Sequence, residues 1–171
     1  MLVPEKLEGK NIIIRHLEKD DFLGYKGFMQ NPKSTAYLMY SEAQKSDDGV
    51  KKMFDTIVNN YDEDMQMVTL AVAKSEDNSY IGFITYMLDY EEGGVQFSLG
   101  INEEYEGNGY ASEAIALFID YIKSVYECYV KAYINPQNTH AIHTFEKSGM
   151  TDLGEVTIEY LDITYRTFEL Y

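Results

Sequence analysis

The feature that most constrains the fold of this sequence is a pair of glycines, Gly107 and Gly109, between a strand pattern and a helix pattern. Apolar residues alternate with other residues over 95–101, which is typical of a β-strand. Apolar residues then recur every three or four positions over 111–125, which predicts an amphipathic helix. A strand, a glycine turn and a helix start direct several backbone N–H groups to one point, at the positive end of the helix dipole. This order predicts an anion site at the turn; a plain tight turn is the alternative.

The remaining pattern predicts one α+β (α/β) domain with a central mixed, mostly antiparallel sheet of about seven strands and helices on both faces. The predicted strands cover residues 11–17, 67–73, 81–88, 95–101, 129–134, 156–160 and 163–170. The predicted helices cover residues 19–29, 46–61 and 108–126, and a short helix capped by Asn138 and ended by Gly149. No repeat or linker divides the 171 residues, so we expect 1–171 to form a single domain.

Three segments of the chain resemble motifs of the GNAT N-acetyltransferases. The glycine turn reads, in order, Glu106, Gly107, Asn108, Gly109, Tyr110 and Ala111. It resembles the first motif of that family, Gln/Arg-x-x-Gly-x-Gly/Ala. Residues 135–150 resemble the second motif, an Asn-led helix, and residues 9–22 resemble the opening strand and helix of the ribosomal-protein alanine N-acetyltransferase type. Because the motifs occur in the family's order, the chain is identified as a member.

The resemblance implies a fold in which two central strands diverge to admit the pantetheine arm of acetyl-CoA, the expected co-substrate. It also implies that a backbone N–H within 99–101 polarises the thioester carbonyl. The implied cofactor-binding residues are Leu99, Ile101, Glu106, Gly107, Asn108, Gly109, Tyr110, Ala111, Asn138 and Phe145. We expect no metal, because His140 and His143 are three residues apart without a carboxylate or cysteine at ligand spacing.

The implied reaction is direct attack of a primary amine on the thioester, without a covalent enzyme intermediate. An amine with a pKa of ~10.4 is neutral about once in 2,500 molecules at pH 7, which costs about 4.6 kcal/mol, whereas an α-amine costs little more than about 1 kcal/mol. A general base therefore matters for an amine with a pKa of ~10.4 and hardly for an α-amine. Some relatives carry a glutamate base on the strand before the second motif, and the matching residue is Tyr133. It could relay a proton through water; an ordinary sheet aromatic is the alternative.

Several residues depart from the family pattern. Phe145 replaces a frequent tyrosine acid, Glu106 replaces Gln or Arg, and Asn108 replaces a frequent lysine. Ala141 stands where the alanine N-acetyltransferase branch often has serine. These departures leave open a non-catalytic acyl-CoA-binding or regulatory domain of the same fold. A nucleotide-phosphate binder is a more distant alternative, since no Lys-Ser/Thr pair follows the glycines.

The charge balance restricts the partners. The chain has 14 basic and 29 acidic residues and a net charge of −15, which argues against nucleic acid and anionic membranes. It favours a cationic small-molecule or peptide amine; a solvated surface that only maintains solubility is the alternative.

The first ten residues lack a signal-peptide core and no apolar run approaches ~20 residues, so we expect a cytoplasmic protein. The single Cys128 excludes an intramolecular disulfide, and a homodimer stays compatible with the sequence.

Overall fold

The computed structural model describes residues 3–61, 66–89, 93–159 and 162–171. These residues contain eight strands: β1 (Lys6–Glu8), β2 (Ile12–Arg15), β3 (Met67–Lys74), β4 (Tyr80–Asp89), β5 (Gly94–Ile101), β6 (Tyr129–Ile134), β7 (Thr151–Ile158) and β8 (Ile163–Leu170). They form one sheet in the order β1-β2-β3-β4-β5-β6-β8-β7. Only the pairing of β5 with β6 is parallel. The mixed, mostly antiparallel sheet is therefore confirmed, with β1 as a strand that the sequence reading missed.

The described helices are α1 (Phe22–Gln30), α2 (Glu42–Lys45), α3 (Asp47–Asn59), α4 (Tyr110–Val125) and α5 (Thr139–Glu146). Short 3₁₀ turns lie at Lys19–Asp21 and Glu103–Tyr105. The helix predicted from residue 108 begins only at Tyr110, because Gly107 and Gly109 have φ values of 77° and 80°, outside the helical region. The short helix ends at Glu146 rather than at Gly149, which has a φ of 83° in the turn that follows. Tyr160, the end of one predicted strand, lies outside the described residues.

Helices cover both faces of the sheet, as the sequence predicted. On one face, α4 and α5 pack against the sheet, and Phe118 lies 5.1 Å from the rings of both Tyr86 and Phe97. On the other face, α1 and α3 pack together, and Phe28 contacts Phe83 edge to face at 4.8 Å. The rings around Phe118 are tilted against one another, and the edge-to-face geometry of Phe28 and Phe83 is one that aromatic rings prefer in cores.

A buried ion pair joins β2 to the start of the first helical segment. Nη1 and Nη2 of Arg15 donate to the two carboxylate oxygens of Asp21 at 2.7 and 3.0 Å, and both side chains are buried. The remaining donors of Arg15 are used by Asn78 Oδ1 and by the carbonyls of Asn78 and His16. Because the charges are paired and their hydrogen bonds are satisfied, these contacts fix β2, the turn between β3 and β4 that contains Asn78, and the chain around residue 21 relative to one another.

Glu113 holds the first turn of α4 against the turn between β1 and β2. Its carboxylate accepts hydrogen bonds from the backbone N–H of Asn11 at 2.7 Å and from the side-chain amide of Asn11 at 2.8 Å. These hydrogen bonds lower the pKa of Glu113 although burial opposes them. The contact spans 102 positions of sequence and fixes the direction of the N-terminus of α4, where the anion site is predicted.

Candidate functional site

Strands β5 and β6 lie side by side over a short length and then diverge. Their parallel register covers three residue pairs, from Gly94 with Tyr129 to Gln96 with Lys131. Beyond this register β5 continues to Ile101 along β4, and β6 continues to Ile134 along β8. The divergence leaves the last part of β5 next to a gap in the sheet, as the resemblance implied.

A cavity of about 500 Å³ opens at this divergence. Its lining includes nine of the ten predicted cofactor-binding residues: Leu99, Ile101, Glu106, Gly107, Gly109, Tyr110, Ala111, Asn138 and Phe145. The structure therefore brings the end of β5, the glycine turn and α5 together around one space. Their contact with a cofactor stays a prediction.

The glycine turn forms an open wall of this cavity. A Cβ atom built on Gly107 or Gly109 would meet no other protein atom within 4 Å, so a ligand can approach the backbone there. The N–H groups of Tyr110, Ala111 and Ser112 precede the first hydrogen bond of α4, from Glu113 N–H to the carbonyl of Gly109. All three of these residues line the cavity, which provides the geometry of an anion site at a helix N-terminus.

Asn108 is the predicted residue that does not line the cavity. Its side-chain amide donates to the carbonyls of Tyr105 and Glu106, each at 3.1 Å. The side chain of Asn108 therefore stabilises the conformation of the turn. The backbone at Gly107 and Gly109 stays accessible to a ligand.

Helix α5 forms the opposite wall. Asn138 caps it, because its side-chain oxygen accepts a hydrogen bond from Ala141 N–H at 3.1 Å, as predicted. Phe145 is 6% exposed and lies 5.6 Å from Phe97 and 5.7 Å from Phe168. Its ring is therefore part of the core that anchors α5, and the residue also lines the cavity.

Helix α1 and the chain between α1 and α2 form a wall that could not be predicted from the sequence. Phe28, Lys33, Ser34, Tyr37 and Leu38 line the cavity from this side. No local periodicity marks these residues, and only the three-dimensional arrangement brings them to β5.

Glu103, which precedes the glycine turn, bonds to the chain that follows α1. Its carboxylate accepts from Lys33 Nζ at 2.7 Å and from the side-chain amide of Asn31 at 3.0 Å. The hydrogen bond with Lys33 lowers the pKa of Glu103 and raises the pKa of Lys33. The charges of Lys33 and Glu103 consequently neutralise each other at the edge of the cavity.

The chain is similar to known proteins in sequence and in fold. The profile of the acetyltransferase (GNAT) domain matches residues 11–151 of the chain. The chain belongs to the GNAT acetyltransferase family. Over 154 residues it is 23% identical to spermidine N(1)-acetyltransferase of Escherichia coli K12. The alignment covers 88% of this chain and 78% of that protein.

Solved structures of GNAT proteins share the fold. The spermidine N-acetyltransferase of Vibrio cholerae, solved with CoA and spermine, superposes with a TM-score of 0.76 at 18% identity, covering 95% of this chain and 96% of that chain. A ribosomal-protein-alanine acetyltransferase of Vibrio fischeri superposes with a TM-score of 0.75 at 18% identity, covering 96% and 95%. The GNAT fold predicted from the sequence is therefore confirmed.

Tyr133, the predicted catalytic residue, lies on β6 and is half-buried. It pairs with Thr167 in the register of β8, and its ring centroid is 6.1 Å from that of Tyr165. It is not among the residues that line the cavity of this GNAT domain. The proton-relay role therefore stays a prediction, and it would require water between Tyr133 and the cavity.

Three further observations concern metal ligands, membrane-spanning helices and Cys128. Within the described ranges, no three His, Cys, Asp or Glu side chains are grouped so that they could hold a metal ion. None of the helices in those ranges combines the length and the apolar character needed to cross a membrane. Cys128 lies outside the cavity lining, and burial raises the pKa of its thiol.

Proposed function

We propose that this GNAT domain binds acetyl-CoA where β5 and β6 diverge and transfers the acetyl group to a primary amine of a cationic small molecule or peptide. The observation that carries the proposal is the cavity itself, which joins the free end of β5 to an open glycine turn at the N-terminus of α4. We expect this reaction to take place in the cytoplasm.

The cavity residues fit CoA in shape and in chemistry. Gly107 and Gly109 leave the backbone accessible, and the first N–H groups of α4 suit the diphosphate. Ser34 also lines the cavity and carries a hydroxyl group, which suits a polar group of the pantetheine arm.

Acetyl-CoA supplies an activated thioester to this site. The backbone of residues 99–101 lines the cavity beyond the register with β6, so an N–H group there can polarise the thioester carbonyl. The position and raised pKa of Cys128 make this thiol a poor nucleophile, which favours direct attack by the amine. Our hypothesis is that a water molecule takes the proton from the amine and passes it to Tyr133.

Charge and aromatic side chains support a cationic acceptor. The net charge of −15 attracts cations to the whole protein, and Glu106 adds a carboxylate at the cavity itself. Tyr37, Tyr105 and Tyr110 line the same space, and tyrosine rings can bind an ammonium group. The Escherichia coli relative is named for spermidine, a polyamine of this charge type, and the Vibrio cholerae structure was solved with spermine.

The proposal is tested by measuring thiol release from acetyl-CoA with a panel of amines. The panel contains spermidine, a peptide with a free N-terminus and an aminoglycoside, and each reaction is compared with hydrolysis in the absence of amine. We expect release above hydrolysis with at least one amine, and the acetylated product in the mass spectrum. CoA binding without transfer to any amine would instead support the non-catalytic acyl-CoA-binding domain.

A further inference from the structure

We infer that helix α5 supplies the positive charge for the phosphates of CoA through His140, His143 and Lys147. The inference rests on the proposed function, because it assigns residues to the cofactor of that site. It adds a binding role for side chains that the glycine motif does not include.

The glycine turn offers the phosphates backbone N–H groups but no cation. Glu106 is exposed and lines the cavity, so it places a negative side chain at the same wall. The side chain of Asn108 is occupied with the carbonyls of its own turn. Two like charges at ~6 Å repel by roughly 3 kcal/mol at an effective dielectric near 20, and solvent reduces this value. Cations from another element would therefore strengthen the binding of a polyanion at this turn.

Four side chains of the cavity lining can carry a positive charge: Lys33, His140, His143 and Lys147. Lys33 is paired with the carboxylate of Glu103 at 2.7 Å and is largely neutralised by it. The other three belong to α5 and to the residue that ends it. The supply of cations to the cavity is thus concentrated on one helix.

The spacing on α5 directs these three side chains to the same side. Residues 140, 143 and 147 are separated by three and four positions, which places them above one another on a helix. His143 Nδ1 lies 3.5 Å from a carboxylate oxygen of Glu146. Over the described ranges, neither His140 nor Lys147 has a carboxylate oxygen within 4.0 Å. In a protein with 29 acidic residues, this leaves the charge of Lys147 available to a ligand.

The test compares the affinity for CoA of the wild-type protein with that of two lysine variants by isothermal titration calorimetry. Lys147→Gln removes the charge at the end of α5, and Lys123→Gln removes an equal charge from the last turn of α4, outside the cavity lining. We expect Lys147→Gln to weaken CoA about three- to tenfold at low salt, and Lys123→Gln to change it less than about twofold. The loss in Lys147→Gln should shrink at high salt, because ions screen exposed charges.

Two further variants sharpen the result. Lys147→Arg keeps the charge and should bind CoA within about twofold of the wild type, whereas Lys147→Glu should weaken it more than Lys147→Gln.

Equal CoA affinity of Lys147→Gln and the wild type at low salt would overturn the inference while the proposed function stands. An equal loss in Lys123→Gln and Lys147→Gln would also overturn it, since the effect would then belong to the net charge. Failure of the wild-type protein to bind CoA would instead overturn the proposed function. Thermal unfolding of each variant separates a loss of binding from a loss of folded protein.

Discussion

Replacement of Gly109 by alanine separates the binding role of the glycine turn from its role in the fold. Gly109 has a φ of 80°, and a Cβ there would meet no other protein atom within 4 Å. The added methyl group therefore causes no clash inside the protein, and its cost in stability comes from the backbone conformation. A non-glycine residue at such a φ costs roughly 1–2 kcal/mol. For a domain of this size, the melting temperature should fall by about 2–8 °C.

The same methyl group should have a larger effect on CoA. It enters the space in front of the N–H groups that begin α4, where a diphosphate must approach to hydrogen-bond distance. Loss of one hydrogen bond to a charged group costs about 1.5–3 kcal/mol, which corresponds to about ten- to hundredfold weaker binding. Gly109→Ala should therefore unfold at a modestly lower temperature and bind CoA at least about tenfold more weakly in calorimetry.

Gly154 provides the matched control. Its φ is 86°, a Cβ there would also meet no atom within 4 Å, and it lies on β7 outside the cavity lining. Gly154→Ala should lower the melting temperature by a similar amount and leave the affinity for CoA unchanged. If both variants bound CoA like the wild type, the assignment of the phosphate site to the glycine turn would be refuted.

Three further variants test other parts of the account. Asn138→Ala removes the cap of α5, so it should cost about 1 kcal/mol in thermal unfolding, and it should weaken CoA if the amide also contacts the pantetheine arm. Unchanged affinity would leave Asn138 with the structural role alone. Glu106→Gln removes a negative charge from the glycine turn and should tighten CoA about two- to fivefold at low salt; a looser complex would mean that the carboxylate makes a needed contact. Asp21→Ala leaves the buried guanidinium of Arg15 without its partner and should destabilise the fold by about 3–5 kcal/mol in chemical denaturation, whereas a loss below about 1 kcal/mol would contradict this role of the pair.

Elements with a strong local pattern could be predicted from the sequence. The alternation over 95–101 and the helical period over 111–125 gave β5 and α4, and the two glycines between them placed the turn. The cap at Asn138 was visible because Asn is a preferred N-cap residue before a helical segment. In each case the determining interactions lie within a few residues of one another.

Features that depend on distant residues could not be predicted in this way. Strand β1 has three residues, which is too short for a period to be recognised, and it exists because it pairs with β2. The bond between Glu113 and Asn11 spans 102 positions, and that between Lys33 and Glu103 spans 70. Pairings at such separations follow from the order of the strands and the packing of helices against them, and no local pattern encodes them.

A crystal structure of the protein with CoA would locate the cofactor on the molecule. We expect the diphosphate at the backbone N–H groups from Gly107 to Ser112 and the pantetheine arm between β5 and β6. Its thiol end should lie near the backbone of residues 99–101. CoA bound elsewhere on the molecule, or with its phosphates away from the glycine turn, would contradict the assignment of this cavity as the cofactor site.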